Sequence, residues 1–239
     1  MFPLFWLLNF LEFDYLKQLM WGINENMMND LFTLDKQTVQ IAHGAVLLTG
    51  FALDNETEIL QQIEHVIRLA PLRNMATPWG RFMSVAMTNC GPLGWVSDTK
   101  GYRYEACDPE SGKQWPAMPD ALMQLAQNAA TEAGYNNFEP DACLVNCYIP
   151  GTKLSLHQDK DEVDFSAPIV SVSLGLPATF LFGGLKRQGP TQKIPLHHGD
   201  VVVFGGQSRL VHHGITPLKK GNHLLLGERR INLTFRKAS

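Results

Sequence analysis

Residues 154–162, LSLHQDKDE, hold a histidine and a carboxylate two positions apart. On a strand, residues i and i+2 project from one face, so His157 and Asp159 would present an imidazole nitrogen and a carboxylate oxygen side by side, as adjacent metal ligands. Alone, H-x-D is a weak signal, because a turn-capping Asp beside a surface His explains most such pairs. A third donor is available in RLVHHGITP, where His212 and His213 point to opposite faces and only one can join the pair. Sequence pattern alone does not decide which. Two histidines and one carboxylate on one octahedral face leave three positions open, as non-haem Fe(II) oxygenases require, whereas structural zinc would want a fourth protein ligand. His197 and His198, just before the turn-forming Gly199 and Asp200, read as turn or surface histidines.

Residues 229–236, RRINLTFR, supply a second element. On a strand, Arg230, Asn232, Thr234 and Arg236 share one face, while Ile231, Leu233 and Phe235 share the other. A solvated strand face would explain a lone Arg. Two Arg with an Asn between them instead suit a dicarboxylate, because each planar fork pairs bidentately with one carboxylate. Asn146 and Tyr148, at i and i+2 in LVNCYIPG, would complete such a pocket.

These residues need elements to position them. GAVLLTGFAL (44–53) reads as a strand, and 54–70 as an amphipathic helix capped by Asp54 or Asn55, with acids in its first turn and closed by Pro71. Residues 71–118 read as an irregular region bearing Trp79, Trp95 and Trp115 among prolines and glycines, and a long aromatic loop of this kind is more often functional than not. A second helix runs from about Pro119 to Ala133, with Gly134 at its C-cap. From Asp141 onward the candidates are ACLVNCYI, LSLHQD, PIVSVSLG, ATFLFG, KIPLH, DVVVFGG, RLVHHGI and RRINLTFR. Eight short strands separated by turn signals point to a sandwich or barrel, and the architecture expected is two helices against an eight-stranded jelly roll.

The chain has 239 residues, 45% apolar and 18% charged, enough for a full core and too apolar for disorder. Its formal charge of −3 excludes a broad basic surface but not a local basic groove. That charge belongs to residues 1–30, which hold Glu12, Asp14, Glu25 and Asp30 against Lys17, so the rest balances and an acidic total says nothing against nucleic acid as a partner. The opening MFPLFWLLNFLEF lacks a basic start and a cleavage site, and Asn9, Glu12 and Asp14 cut it short of a membrane span, so neither a secretory signal nor a transmembrane helix is expected. Cys90, Cys107, Cys143 and Cys147 form no CxxC pair, which predicts reduced thiols in a cytoplasmic protein; Cys143 and Cys147 read as two buried thiols on one strand face.

The H-x-D pair, a distal His 54 positions beyond the Asp, and R-x-N-x-x-x-R near the C-terminus resemble the AlkB family of Fe(II)/2-oxoglutarate dioxygenases. SVAMTNCGPLGW, WPAMP, FEPDACLVN, GTKLSLHQDKDE, APIVSVSLGLPA, FGGLKR, HGDVVVFGG and NLTFR follow the family pattern in order, over nearly all of residues 40–238. The likeness begins around residues 27–32, MMNDLF, which resemble the start of bacterial members; 1–30 is therefore expected to be a loosely held extension or the product of an upstream-assigned start codon, ahead of a single dioxygenase domain at 31–239.

The resemblance implies an α+β, mainly β protein: a double-stranded β-helix (jelly roll) core at 141–239, two supporting helices, and a nucleotide-recognition lid at 71–118. It assigns iron to His157, Asp159 and His213, and 2-oxoglutarate to Asn146, Tyr148, Arg230, Asn232 and Arg236, with the two arginines at opposite ends of the cosubstrate. It also implies an activity, in which Fe(II), 2-oxoglutarate and O₂ hydroxylate an N-methyl group that then leaves as formaldehyde, with succinate and CO₂ as coproducts. This is direct-reversal repair of alkylated DNA bases of the N1-methyladenine and N3-methylcytosine type. On the substrate side the family pattern matches Met87, Trp95 as the ring that stacks on a flipped base with His157 on its other face, Tyr102 as a phosphate contact, Asp161 as the base-recognising carboxylate, and Arg187 near the damaged base. A carboxylate beside a cationic methylated base is electrostatically sensible. Without the family, Trp95 would read as an ordinary half-buried tryptophan and Asp161 as a loop cap.

Arg73, Arg81, Lys100, Arg103, Lys153, Lys160, Lys186 and Arg187 are candidates to track a phosphate backbone, and most are equally well explained as solvated charges. The expected partner is single-stranded DNA, or RNA, with no membrane and the protein a monomer. Cys147 stands where the family pattern has an Arg, and on an alternating strand it should face away from the pocket; GERR also departs from the pattern just before the arginines. Two rival readings are a related dioxygenase acting on RNA or protein, and a non-catalytic jelly-roll binding module. The second gives no reason for Arg230, Asn232 and Arg236 to share a face beside a complete metal triad.

Overall fold

Short apolar runs punctuated by glycine and proline turns become strands, and the two amphipathic runs become helices. The computed structural model describes residues 36–239; the 1–30 extension and the MMNDLF segment lie outside the described residues. In chain order the elements are β1 (Thr38–Ala42), β2 (Ala45–Leu48), helix α1 (Glu56–Leu69), β3 (Ala86–Cys90), β4 (Gly94–Asp98), β5 (Gly101–Glu105), helix α2 (Asp120–Glu132), β6 (Ala142–Tyr148), β7 (Leu154–His157), β8 (Ile169–Gly175), β9 (Ala178–Phe182), β10 (Gln192–Leu196), β11 (Val201–Phe204), β12 (His213–Ile215) and β13 (Arg230–Arg236).

Seven strands form one antiparallel sheet in the order β1-β2-β11-β8-β13-β6-β3, and four form a second in the order β10-β9-β12-β7. All eight strands expected after Asp141 are present, divided four and four between these sheets. Strands β4 and β5 pair only with each other, as a hairpin.

Each face of the larger sheet has its own core. On one side Ile59, Ile63 and Val66 of α1 and Leu122, Leu125, Ala126, Ala129 and Ala130 of α2 pack with Cys143, Val145, Val172, Ile231, Leu233 and Phe235. The i, i+4, i+7 spacing on α1 places one apolar stripe against the sheet. Each such aliphatic side chain contributes about 1.5–3 kcal/mol when fully buried. On the other side Leu47, Leu144, Ile169, Val202 and Phe204 meet Phe180, Phe182, Ile194, Leu196 and Ile215 of the smaller sheet.

Four local readings need correction. Residues 71–118 are not irregular throughout, because they supply β3, β4 and β5. Strand β3, AMTNC, carries two adjacent polar residues, yet Thr88 and Asn89 are fully buried with their side chains bonded to Ala70 O and to the Trp95 backbone, so its ladder with β6 prevails over its weak apolar pattern. Strand β2 stops at Leu48, where Gly50 (φ +61°) turns the chain. A single 3₁₀ turn at Leu53–Asn55 precedes α1, whose N-cap Asn55 makes no side-chain cap bond. In RLVHHGI only His213–Ile215 is strand.

Cys90, Cys143 and Cys147 are buried free thiols and Cys107 is an exposed one. Cys143 and Cys147 share the helix-side core, so Cys147 does face away from Asn146 and Tyr148. Among the described residues no helix is long and apolar enough to cross a membrane.

Candidate active site

Strands β7 and β12 are antiparallel neighbours, and their register sets His213 directly opposite His157. Directly opposed residues share a face, which is what separates His213 from His212. Asp159 follows two residues past the end of β7 and still converges on them, because Arg209 Nη1 donates to its backbone carbonyl (2.7 Å). His157 Nε2 lies 3.6 Å from Asp159 Oδ1 and His213 Nε2 lies 3.7 Å from Oδ2; the three ligand atoms fall within 4.8 Å of one another.

The protonation pattern suits a cation. His157 Nδ1–H donates to Ser155 O (2.9 Å) and His213 Nδ1–H to Val211 O (3.1 Å), since a carbonyl can only accept, and this leaves both Nε2 lone pairs facing Asp159. Burial, with the His157 ring beside it, pushes His213 down to about 4 against the pull of Asp159, so it is neutral near pH 7. Burial by itself would raise the Asp159 carboxyl, but the Arg236 guanidinium, helped by the two histidines, holds it well below the usual carboxylate range. Arg236 donates to Asp159 Oδ2 from Nε (3.1 Å) and Nη2 (2.8 Å).

Beside this triad, β13 turns Arg230, Asn232, Thr234 and Arg236 into a cavity of about 900 Å³ while Ile231, Leu233 and Phe235 go to the helix side. The β6–β13 register sets Tyr148 opposite Arg230 and Asn146 opposite Asn232. Asn146 Nδ2 donates to Asn232 Oδ1 (3.2 Å), and Asn232 Nδ2 donates to Ser171 Oγ and Val172 O (both 2.9 Å). Arg230 is 1% exposed; its guanidinium lies 4.9 Å from the Tyr148 ring centroid and Nη2 donates to Ser173 Oγ (2.9 Å). Its Nε and Nη1, and Asn146 Oδ1, are buried without a partner. Buried donors of a charged group are almost always satisfied, so this site is built for an anion with two acceptor oxygens.

The cavity is lined by every residue expected on the substrate side, with Met87 buried and Trp95, Tyr102, Asp161 and Arg187 nearer solvent. Trp95 on β4 stacks on Tyr102 of β5 (centroids 5.6 Å apart, planes 13° apart), and its indole N–H donates to Asp161 Oδ2 (2.9 Å). The buried Asn89 side chain takes the place of a neighbouring strand for Trp95, accepting from its N–H and donating to its carbonyl (both 3.0 Å). Of the eight candidate phosphate-tracking cations, Arg81, Lys153, Lys160 and Arg187 line the cavity. Arg73 is committed to Asp108 and Glu110, and Arg103 to Asp98 and Glu105.

Sequence reasoning missed a buried network behind the triad. Glu162, 6% exposed, accepts from Tyr104 Oη (2.6 Å) and Arg209 Nη2 (3.0 Å) and lies 3.4 Å from Arg236 Nε. The available signal was the acid-rich tail of HQDKDE, whose final carboxylate is too far along the chain to be a ligand yet is followed by no solvated charge partner.

The chain matches the model of the 2OG-Fe(II) oxygenase superfamily over residues 44–236. It is 57% identical over 213 residues to "Alpha-ketoglutarate-dependent dioxygenase AlkB" of Escherichia coli (strain K12), covering 88% of this chain and 98% of that one. It is 35% identical over 171 residues to "DNA N(6)-methyladenine demethylase ALKBH1C" of Arabidopsis thaliana, covering 61% of this chain and 38% of the other. The solved structure described as "The structure of OsALKBH1" aligns at a TM-score of 0.73 and 30% identity, covering 84% of this chain and all of that one.

Proposed function

Since the chain belongs to the 2OG-Fe(II) oxygenase superfamily and, within it, to the AlkB family, we propose that it removes N-linked methyl groups from bases of the N1-methyladenine and N3-methylcytosine type in single-stranded DNA. The observation that carries this reading is one cavity holding a His, Asp, His triad, a buried guanidinium with two unpartnered donors, and an aromatic ring hydrogen-bonded to a carboxylate. The name of the Arabidopsis relative supports DNA as the nucleic acid.

His157, Asp159 and His213 would hold Fe(II) through two imidazole Nε2 atoms and a carboxylate, and Arg230, Asn232, Asn146, Tyr148 and Arg236 would hold 2-oxoglutarate. When bound, iron with 2-oxoglutarate and O₂ supplies the oxidation that turns the N-methyl group into a hydroxymethyl group, which leaves as formaldehyde while 2-oxoglutarate becomes succinate and CO₂. The chain's residues set the conditions for this. Ser155 O and Val211 O fix both imidazole tautomers. Arg236 keeps Asp159 ionised and oriented. Leu144, Phe180, Phe204 and Ile215 line the cavity with apolar surface that excludes water and strengthens every charge interaction inside. Trp95, with one face against Tyr102, has its other face for a base, and the Asp161 carboxylate beside it favours a cationic methylated ring over a neutral one.

In this reading the two four-strand groups form a jelly roll, residues 71–118 form a nucleotide-recognition lid, and the protein is a cytoplasmic monomer. The test is anaerobic loading with Fe(II) and 2-oxoglutarate, then O₂ with a single-stranded oligonucleotide carrying N1-methyladenine. Formaldehyde is expected in equal amount to succinate, and its absence with iron bound overturns the reading.

A further inference from the structure

Residues 76–82 form a tight β-turn hairpin at the cavity mouth. Ala76 and Phe82 are bridged, Thr77 N–H donates to Arg81 O (2.6 Å), Gly80 N–H to Thr77 O (2.9 Å), and Arg81 N–H to Thr77 Oγ1 (3.2 Å). Pro78 fixes the backbone at the first corner and Gly80, at φ +74°, takes the left-handed position that closes the turn. The tip is therefore pinned by its backbone bonds and the Thr77 hydroxyl, and does not rest on the side chains of Trp79 and Phe82.

Those side chains point to solvent. Trp79 is 79% exposed and Phe82 76% exposed, the two most exposed aromatic residues among those described. A pinned turn that displays a Trp and a Phe gains nothing in packing from them, and rigid, exposed rings beside a pocket mark a surface that binds. Both residues line the mouth of the active-site cavity, together with Arg81, Lys153, Lys160 and Arg187. All four cations are exposed and, among the described residues, none has an ion-pair partner.

We propose that Trp79 and Phe82 form a stacking platform for the nucleotide that neighbours the one in the pocket, with the four mouth cations on its phosphates. Flat rings interleaved with unpaired cations match single-stranded nucleic acid, because stacking needs a free base face and each linkage carries one negative charge. A peptide or a membrane surface would match one half of this chemistry and not the other. The platform is distinct from Trp95, which lies inside the mouth, stacked on Tyr102 and bonded to Asp161. The inference rests on the reading of the cavity as a base pocket.

The test compares an N1-methyladenine mononucleotide with a short single-stranded oligonucleotide carrying the same base, using the full chain with Fe(II), 2-oxoglutarate and O₂. In Trp79→Ala/Phe82→Ala the oligonucleotide KM should rise about tenfold, with kcat, mononucleotide KM and melting temperature unchanged. Replacing the neighbouring base by an abasic sugar, on each side in turn, should cost the wild type about the same factor on one side and cost the variant nothing. Equal oligonucleotide KM values for variant and wild type overturn the platform while leaving the base pocket standing. Absence of formaldehyde from both substrates in the wild type overturns the pocket and the platform together.

Discussion

Strand β13 and the β4–β5 hairpin both deliver side chains to one cavity, and they are held in opposite ways. β13 lies between β8 and β6 with a ladder on each side, and all seven of its residues are buried. The hairpin pairs only with itself, and its hydrogen bonds to the rest of the chain run through side chains, namely Asn89 to Trp95, Trp95 to Asp161, Ser97 to Ala76 O, Tyr104 to Glu162 and Trp115 to Glu105 O. A ladder shared on both edges opens only with the core, whereas a few side-chain bonds worth about 1 kcal/mol each allow local opening. Under the proposed function, the rigid floor is the part that would grip a small dicarboxylate and the tethered wall is the part that would admit a base on a polymer.

The sharpest way to break this contrast is at the floor. Arg230→Met should raise the KM for 2-oxoglutarate by about two orders of magnitude, since it deletes the donors of a charge-assisted pair. It should also leave the melting temperature of the unliganded protein the same or higher, because a buried guanidinium with two orphaned donors is replaced by an apolar chain. Thermal melts with and without 2-oxoglutarate read both, and a large loss of stability without ligand would show that Arg230 is structural. At the wall, Tyr104→Phe removes one bond to Glu162 and leaves that carboxylate paired with Arg209 and Arg236. Amide exchange should speed up about tenfold across β4 and β5 and stay unchanged in β13, following a loss of about 1–2 kcal/mol confined to the hairpin. Uniform acceleration would mean that the two regions open as one. The smallest effect is expected for Trp95→Phe, which keeps a ring and loses the bond to Asp161. The oligonucleotide KM should rise about three- to fivefold with the 2-oxoglutarate KM unchanged, and a matched rise in both would erase the division between floor and wall.

The same division governs how much could be read from the amino acids alone. RRINLTFR announces itself because a strand with one face in a core and one in a polar site must alternate, and it does. His157 and Asp159 were legible from spacing, although Asp159 lies past the strand end and owes its place to Arg209. The choice of His213 over His212 was not legible from pattern, because it depends on the β7–β12 register, a property of two strands far apart in the chain. The hairpin was hidden for a similar reason. GWVSD and GYRYE begin with glycine and mix aromatic with charged residues, and what makes them strands is each other, across a turn at Asp98–Gly101 closed by Gly101 at φ +111°. Glu162 and Tyr104 were invisible because their partners are distant in the chain.

Because β13 separates two compartments, it also connects them. Its odd positions pack with the helices through Ile231, Leu233 and Phe235, and its even positions line the cavity proposed to hold the cosubstrate. A void opened under α2 would let the strand shift and, because close-packed interiors transmit strain, register on the far side as a weaker hold on 2-oxoglutarate. Cosubstrate affinity is therefore a gauge of how well the helix layer is packed, and variants selected only for thermal robustness of that layer should drift in KM although none of them touches the active site.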